Sequence, residues 1–204
     1  MQFFYTPDTC ALASLICLIE AEAPFELCRI DFASEQQKSE AYLRINPKAR
    51  VPALKVGSEV LTETPAILAY IAQAFPEAAL APSDALAFAQ VQAFNSYLCS
   101  TLHVAHAHRM RGYRWADDHS AIEAMKAKVP QSVAACYTYI EQAVFEGPFV
   151  FGDAFTIADP YLFTIAQWME SDGVDPAGFP KLAAHRDRLR QRPSVVRALQ
   201  EETT

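Results

Sequence analysis

The chain is short of glycine, of long apolar runs and of repeats. Only six of its 204 residues are glycine, and no low-complexity tract or short-period repeat occurs. These absences exclude fibrous and largely disordered proteins. No apolar run is long enough to cross a bilayer, and the first residues lack the basic region of a secretory signal. We therefore expect a cytoplasmic chain with no membrane partner.

Cysteine is present but is not arranged in pairs. The sequence has no Cys-x-x-Cys motif, and its five cysteines are Cys10, Cys17, Cys28, Cys99 and Cys136. An odd, scattered set predicts reduced thiols, not a disulfide framework. The formal net charge of −7 argues against an extended nucleic-acid surface, so we expect no nucleic-acid partner.

The first 77 residues alternate between strand and helix patterns. Strand-like segments at 2–6 and 25–31 flank an apolar helical pattern over 10–22, and polar helical material follows at 34–45. A hairpin and one more helix complete a predicted βαβαββα order. The fold class we expect for residues 1–77 is therefore an α/β domain.

Every strong pattern after a predicted linker at 78–84 is helical. Residues 86–111 predict one long helix, and residues 118–145 predict a second one that Pro130 kinks or splits. We expect residues 85–204 to form a separate all-helical domain.

Two further helices are predicted near the C-terminus. Thr156 and Asp159 have the spacing of a capping box, in which the hydroxyl bonds the third N–H and the carboxylate returns to the cap. Pro180 marks the start of the last helix, which places Leu182, Leu189, Val195 and Leu199 on one buried side.

A strand pair followed by a helix start predicts a small-molecule site. Residues 51–56 predict a strand whose Pro52 indicates an edge, a bulge or a first position, and Gly57 begins the hairpin turn. Thr64 then caps a helix with proline at its first position. The helix amides and Thr64 hydroxyl could hold a carboxylate, and Glu63 an ammonium. An ordinary capped helix is the alternative.

Cys10 is the candidate nucleophile. It follows a strand and a turn at a predicted helix start, where the helix dipole lowers a thiol pKa. The alternative is a small buried apolar residue. We expect the other four cysteines, which lie in apolar segments, to pack in the core.

Histidines and arginines follow one another along the first long helix. His103 and His106 share a helix face, whereas His108 points elsewhere. We expect one of them to face a cleft between the two halves as a hydrogen-bond donor. A metal site would need further ligands, which the sequence does not supply nearby, so we predict no metal. Three arginines follow the histidines, namely Arg109, Arg111 and Arg114. They could neutralise an anionic ligand or form a solvated helix end.

Four motifs give the chain a family resemblance. They are Tyr5-Thr6-Pro7-Asp8-Thr9-Cys10-Ala11-Leu12-Ala13, Asn46-Pro47-Lys48 with Val51-Pro52-Ala53-Leu54, Leu61-Thr62-Glu63-Thr64 and Thr156-Ile157-Ala158-Asp159. Their order and spacing resemble those of cytosolic glutathione S-transferases, and Cys10 resembles the bacterial beta class. The resemblance implies a thioredoxin-like N-terminal domain, a helical C-terminal domain and a homodimer with its active site at the domain junction.

The resemblance also implies roles for single residues. The backbone of Val51, before a cis Pro52, would pair with the cysteinyl part of glutathione, and Glu63 with Thr64 would hold the γ-glutamyl end. Cys10 would face the glutathione sulfur, and His103 matches the family's helix histidine.

Further positions match the family motifs or depart from them. Tyr5 and Ser96 complete the predicted glutathione contacts, although Ser96 stands where the family has asparagine, with Asn95 beside it. The family's two lysines are replaced by Glu35, with Lys38 nearby, and by Val104. Thr156 and Asp159 match a structural capping box and are outside the predicted site.

The predicted function is glutathione transfer: the thiolate of bound glutathione attacks a small hydrophobic electrophile held by the helical half. Glutathione would be a co-substrate. One alternative is thiol-disulfide exchange through Cys10, with glutathione resolving the mixed disulfide. A second alternative is a non-catalytic member of the family that binds a protein partner.

Overall fold

The N-terminal half has the predicted βαβαββα order. The computed structural model describes residues 1–203. The elements of this half are β1 (Gln2–Tyr5), α1 (Ala11–Glu20), β2 (Glu26–Arg29), α2 (Glu40–Leu43), β3 (Ala53–Val56), β4 (Glu59–Thr62) and α3 (Thr64–Ala74). A short 3-10 helix at 36–38 precedes α2, so the polar segment is less regular than predicted.

The four strands form one mixed sheet in the order β2-β1-β3-β4. β1 runs parallel to β2 and antiparallel to β3, so that Phe3 lies opposite both Leu27 and Leu54. The β3–β4 hairpin turns at Gly57, whose φ of +59° lies in the left-handed region that glycine adopts without strain. The predicted hairpin is confirmed.

The C-terminal half is helical. Its helices are α4 (Ala85–Tyr97), α5 (His103–Arg111), α6 (His119–Tyr139), α7 (Ala158–Ala166), α8 (Pro180–Arg190) and α9 (Pro193–Thr203). A π-helical turn at 98–102 joins α4 to α5, so the long helix predicted over 86–111 contains an internal bulge. Pro130 lies within α6 without splitting it.

The predicted last helix is in fact two helices. α8 ends at Arg190 and α9 starts at Pro193, because proline cannot donate the N–H that a continuous helix needs. The apolar spacing across this break misled the sequence interpretation, since Leu182, Leu189 and Val195 are all buried.

One of the two hydrogen bonds of the predicted capping box, the one from Thr156 N–H to Asp159, is confirmed. The Oδ2 of Asp159 accepts the Thr156 N–H at 2.7 Å, as expected. The Thr156 hydroxyl, however, accepts from the Ala158 N–H at 3.3 Å instead of the third N–H. The other Asp159 oxygen reaches the Val150 N–H at 2.8 Å and His185 Nε2 at 3.0 Å, so this carboxylate joins three segments.

Helix α1 is the common core element of both halves. Its residues Leu15 and Ile16 are fully buried, and it packs against α3, α7 and α9. At its end Glu20 accepts two bonds from Arg192, at 2.5 and 2.8 Å. No helix within residues 1–203 is long and apolar enough to span a membrane.

Candidate functional site

A cavity of about 510 Å³ lies between the sheet half and the helical half. Six of the residues predicted from separate motifs line it, namely Cys10, Val51, Pro52, Glu63, Thr64 and His103. The fold therefore brings the N-terminus of α1, the segment before β3, the start of α3 and the start of α5 to one place.

Cys10 does not have the lowered thiol pKa that its position predicts. It is the N-cap residue of α1, and its S–H lies 3.9 Å from the Val51 carbonyl oxygen, which it can reach as a weak donor. Burial raises the pKa of the Cys10 thiol, and this outweighs the lowering by the Thr64 hydroxyl and by Arg111. The thiol is thus favoured over the thiolate at neutral pH.

Val51 precedes a cis peptide bond to Pro52. The Arg50 carbonyl, one residue earlier, accepts the Asn46 side-chain amide at 2.7 Å and the Tyr42 hydroxyl at 2.8 Å. These bonds hold the segment in place. Among the described residues the Val51 N–H has no acceptor, so it is available to a ligand in the cavity.

The start of α3 differs from the prediction. Thr64 is the first helical residue instead of the cap, and Glu63 is the N-cap with φ +73° and no side-chain capping bond. Thr64 is buried, with its hydroxyl beside the Cys10 thiol. Glu63 pairs with Lys48, whose Nζ also donates to the Thr62 hydroxyl at 2.6 Å.

We expected one of the three helix histidines to face a cleft, and two of them, His103 at the start of α5 and His106, line the cavity. Burial, with the charges of His106 and nearby arginines, lowers the pKa of His103 to about 4. The ring is therefore neutral at physiological pH. Its centroid lies 5.2 Å from that of Trp168.

His106 forms a buried contact that no sequence pattern indicated. Its Nδ1 lies 2.8 Å from both oxygens of Asp172, which is 66 positions later and buried. Because a carboxylate only accepts, Nδ1 donates its proton to Asp172, and Nε2 has no hydrogen-bond partner within residues 1–203. Arg109 Nε lies 3.1 Å from the same carboxylate, and Trp168 stacks on the His106 ring at 4.3 Å. Within residues 1–203 no group of His, Cys, Asp and Glu could hold a metal ion.

Tyr5 and Ser96 lie outside the cavity, although we predicted that both contact glutathione. The Tyr5 hydroxyl donates to the Glu201 carbonyl at 3.2 Å, so this buried ring packs toward α9. Ser96 is exposed on α4, and its carbonyl accepts the Ser100 hydroxyl at 2.8 Å. We therefore do not include either side chain among the proposed glutathione contacts.

Residues around the missing family lysine take a different arrangement. Lys38 pairs with Glu35 on the exposed surface and does not line the cavity. Gln37 does line it, and its Oε1 has no partner among the described residues. The sequence of this polar segment did not predict which residues of the 3-10 turn face the cavity and which face the solvent.

Cys99 packs against the core as predicted, but it also lines the cavity. It lies in the π-helical turn between α4 and α5, and the buried Tyr161 lines the cavity with it. Cys17 and Cys136 are buried as expected, and Cys28 is half-buried on β2.

The helical half contributes aromatic and cationic groups to the cavity. Trp115 and Trp168 line it with the small apolar residues Val104 and Ala107. Arg111 and Arg114 of this half line it as well, and so does Arg50 of the sheet half. The pocket is therefore less apolar than we expected from the family resemblance.

Comparisons with known proteins agree with this architecture. The Glutathione S-transferase N-terminal domain family matches residues 2–73, and the Glutathione S-transferase C-terminal domain family matches residues 103–188. Glutathione S-transferase GstA of Escherichia coli O157:H7 is 31% identical over 99% of this chain and 98% of its own.

Solved structures show the same fold. A glutathione transferase homolog from Sulfitobacter with bound glutathione is 43% identical, with a TM-score of 0.96 over 100% of this chain and 98% of its own. A beta class glutathione S-transferase of Sphingomonas chungbukensis is 35% identical, with a TM-score of 0.85 over 99% of this chain and 98% of its own. This chain belongs to the glutathione S-transferase family.

Proposed function

We propose that this chain binds glutathione in the cavity and promotes attack of the glutathione thiolate on a small electrophile. The observation that carries the proposal is the convergence of Cys10, Val51, Glu63, Thr64 and His103 on one cavity. The Sulfitobacter homolog, which holds glutathione, supports the same ligand here.

The backbone of Val51 would pair with the cysteinyl part of glutathione. Its N–H has no acceptor among the described residues, and its carbonyl faces the cavity beside the Cys10 thiol. The γ-glutamyl carboxylate would lie at the start of α3, where backbone N–H groups lack helical acceptors. Its ammonium would contact Glu63, sharing that carboxylate with Lys48. Gln37 would replace the family lysine as a polar contact.

The sulfur of glutathione would lie beside Cys10. The raised pKa of Cys10 favours an S–H group, which donates a hydrogen bond to the glutathione thiolate and so stabilises it. The thiolate then attacks the electrophilic carbon, a C–S bond forms, and the leaving group departs with its electron pair. The neutral His103 ring adds a second polar contact at this end of the cavity.

This environment favours conjugation over thiol-disulfide exchange. Exchange requires a Cys10 thiolate as attacking group, and burial disfavours that form. We also propose a cytoplasmic homodimer, as the family resemblance implies. Leu86 on α4 is 70% exposed and would be covered by a subunit contact. Sedimentation of the purified protein measures the number of subunits.

Isothermal titration of reduced glutathione tests the binding site. We expect Glu63→Ala to weaken binding about tenfold or more, because a charged hydrogen bond is lost. Glu59→Ala, an exposed carboxylate on the same hairpin, is the control and should bind as the wild type does. Equal binding by both variants would contradict the proposed site. No heat at millimolar glutathione would instead favour the protein-binding alternative.

Treatment with glutathione disulfide followed by mass measurement separates the two enzymatic alternatives. We expect no stable adduct at Cys10, and we expect Cys10→Ala to lower the rate of conjugation while Cys10→Ser keeps part of it. An adduct on Cys10, together with unchanged conjugation by Cys10→Ala, would identify disulfide exchange.

A further inference from the structure

Two cavities of the molecule differ in how their charges are paired. A groove of about 890 Å³ between α1, β2 and α9 contains Arg192 and Arg197. Arg192 is bonded to Glu20, and Arg197 lies 3.8 Å from Glu201. Both guanidinium groups thus have a carboxylate partner, and no arginine among residues 1–203 that lines this larger groove is unpaired.

The active-site cavity has three arginines without such partners. The guanidinium groups of Arg50, Arg111 and Arg114 make no hydrogen bond or ion pair with any residue from 1 to 203. Arg109, from the same run, is paired with Asp172 and does not line the cavity. The fold therefore divides this run into one arginine that is paired with Asp172 and two that line the cavity.

Arg111 is the half-buried member of this group. Burial lowers its pKa, and the charges of Arg114 and Arg50 act in the same direction, so the three cations are close enough to repel one another. A partly desolvated cation beside two like charges is unfavourable unless an anion joins it. In a chain of net charge −7, this concentration of positive charge is local to the cavity.

Glutathione does not account for all three charges. Its γ-glutamyl carboxylate lies, on the proposed function, at the start of α3 beside Thr64, and its ammonium at Glu63. Its glycine carboxylate can neutralise one arginine. Two arginines on the helical side of the cavity are then left for a second anion.

The walls next to these arginines are aromatic. Trp115 and Tyr113 lie in the same segment as Arg114, and Trp168, whose ring stacks on His106, lines the cavity as well. Flat, unsaturated molecules pack against such surfaces. A ligand here would combine an aromatic or unsaturated body with a negative charge.

We propose that the second substrate is an electrophile that carries a carboxylate, which Arg111 binds together with Arg114. This inference rests on the proposed function and names its substrate class. Arg111 would determine the preference for acids, because the planar guanidinium can bind a carboxylate through two parallel hydrogen bonds.

A pair of electrophiles that differ only in charge tests the proposal. Chloronitrobenzoate and its methyl ester react with glutathione in the same way: the thiolate forms a C–S bond and chloride leaves. The kcat/KM of each is measured against its own uncatalysed rate. We expect the wild type to prefer the acid about tenfold or more, as one added charged hydrogen bond allows. The preference should decrease with added salt.

Variants assign the preference to the arginines. Arg111→Gln should lower the acid-to-ester ratio to about one, and Arg111→Lys should keep part of the ratio, since only the bidentate geometry is lost. Arg114→Gln should also lower the ratio. Because Arg114 is exposed, this variant tests the proposal even if Arg111→Gln fails to fold. Arg197→Gln, on α9, is the control and should keep the wild-type ratio.

Two results would overturn the proposal. One is an acid-to-ester ratio near one in the wild type. The other is a rise in the KM for glutathione in Arg111→Gln that is the same with both electrophiles, which would assign Arg111 to the glycine carboxylate. Failure of the proposed function looks different, because neither electrophile would then be conjugated and no glutathione would bind.

Discussion

His103 shows how surroundings set the chemistry of a single side chain. The sequence predicts that one of three histidines faces a cleft, and His103 lines the cavity, but nothing local predicts a neutral ring at moderately acid pH. Burial and four charged or ionisable neighbours, His106, Arg111, Arg114 and Arg50, lower its pKa to about 4. Glu202 is the opposite case, because burial and the charge of Asp8 raise its pKa to about 7.

These two residues predict opposite pH effects on stability. Between about pH 6.5 and the His103 pKa of about 4, the unfolded state binds a proton at His103 that the folded state does not. The contribution of neutral His103 to the free energy of unfolding is therefore complete above about pH 6.5. It decreases on acidification, by up to about 3 kcal/mol. For Glu202 the folded state holds the extra proton, so stability is gained as pH falls from about 7.

Urea unfolding at about pH 7.5 and about pH 4.5 checks both signs. On acidification, the stability of the wild type relative to His103→Gln should fall, and that relative to Glu202→Gln should rise. Changes of the same sign in both comparisons would contradict this interpretation.

Among the elements, helix starts show the difference between exposed and buried caps. Asp118 caps α6 on the surface, where its Oδ2 accepts the Ala121 N–H at 3.0 Å. Asp159 is fully buried near the start of α7 and accepts from Val150, Thr156 and His185. Asp159 is recognisable from the sequence as part of a capping box, but only the fold gives it its distant partners.

We expect Asp159→Ala to destabilise the protein by about 3 kcal/mol or more, because it leaves several buried donors without an acceptor. Asp118→Ala is the matched variant and should cost clearly less, because water can replace the bond that an exposed cap loses. The free energy of unfolding in urea measures both. Equal losses in the two variants would mean that the additional bonds of Asp159 contribute nothing.

At the scale of the whole molecule, α1 and the α8–α9 corner connect the two halves. Glu20 of α1 is bonded to Arg192 and to Ser194, and these bonds lower its pKa although burial alone would raise it. The Arg192 guanidinium also lies 3.9 Å from the ring centroid of Phe155. The division into domains 1–77 and 85–204 stays a prediction, and this contact is where it can be tested.

We expect Arg192→Gln to cost about 3 kcal/mol, because it leaves the mostly buried Glu20 carboxylate without its cation. Arg197→Gln removes an exposed ion pair and should change stability by less than about 0.5 kcal/mol. Both tryptophans lie in the helical half, so their fluorescence follows that half and far-ultraviolet circular dichroism follows the whole chain. Two separate transitions in Arg192→Gln would show that the contact couples the domains. A loss no larger than in Arg197→Gln would contradict the prediction.

The features that sequence reasoning identified are local. The hairpin at Gly57, the helix at Cys10 and the return bond of Asp159 to Thr156 follow from backbone preferences and hydrogen bonds over a few residues. The family motifs then predicted which of these segments meet. Helix breaks such as the one before Pro193 were missed where apolar spacing continued across them.

The chemistry of the site depends on contacts between distant residues. Burial raises the pKa of Cys10, although its helix position alone predicts the opposite. Asp172 forms an ion pair with Arg109, whereas Arg111 of the same run has no such partner within residues 1–203 and lines the cavity. Desolvation and charge pairing act through space, so residues far apart in sequence set them, and only the tertiary structure brings those residues together.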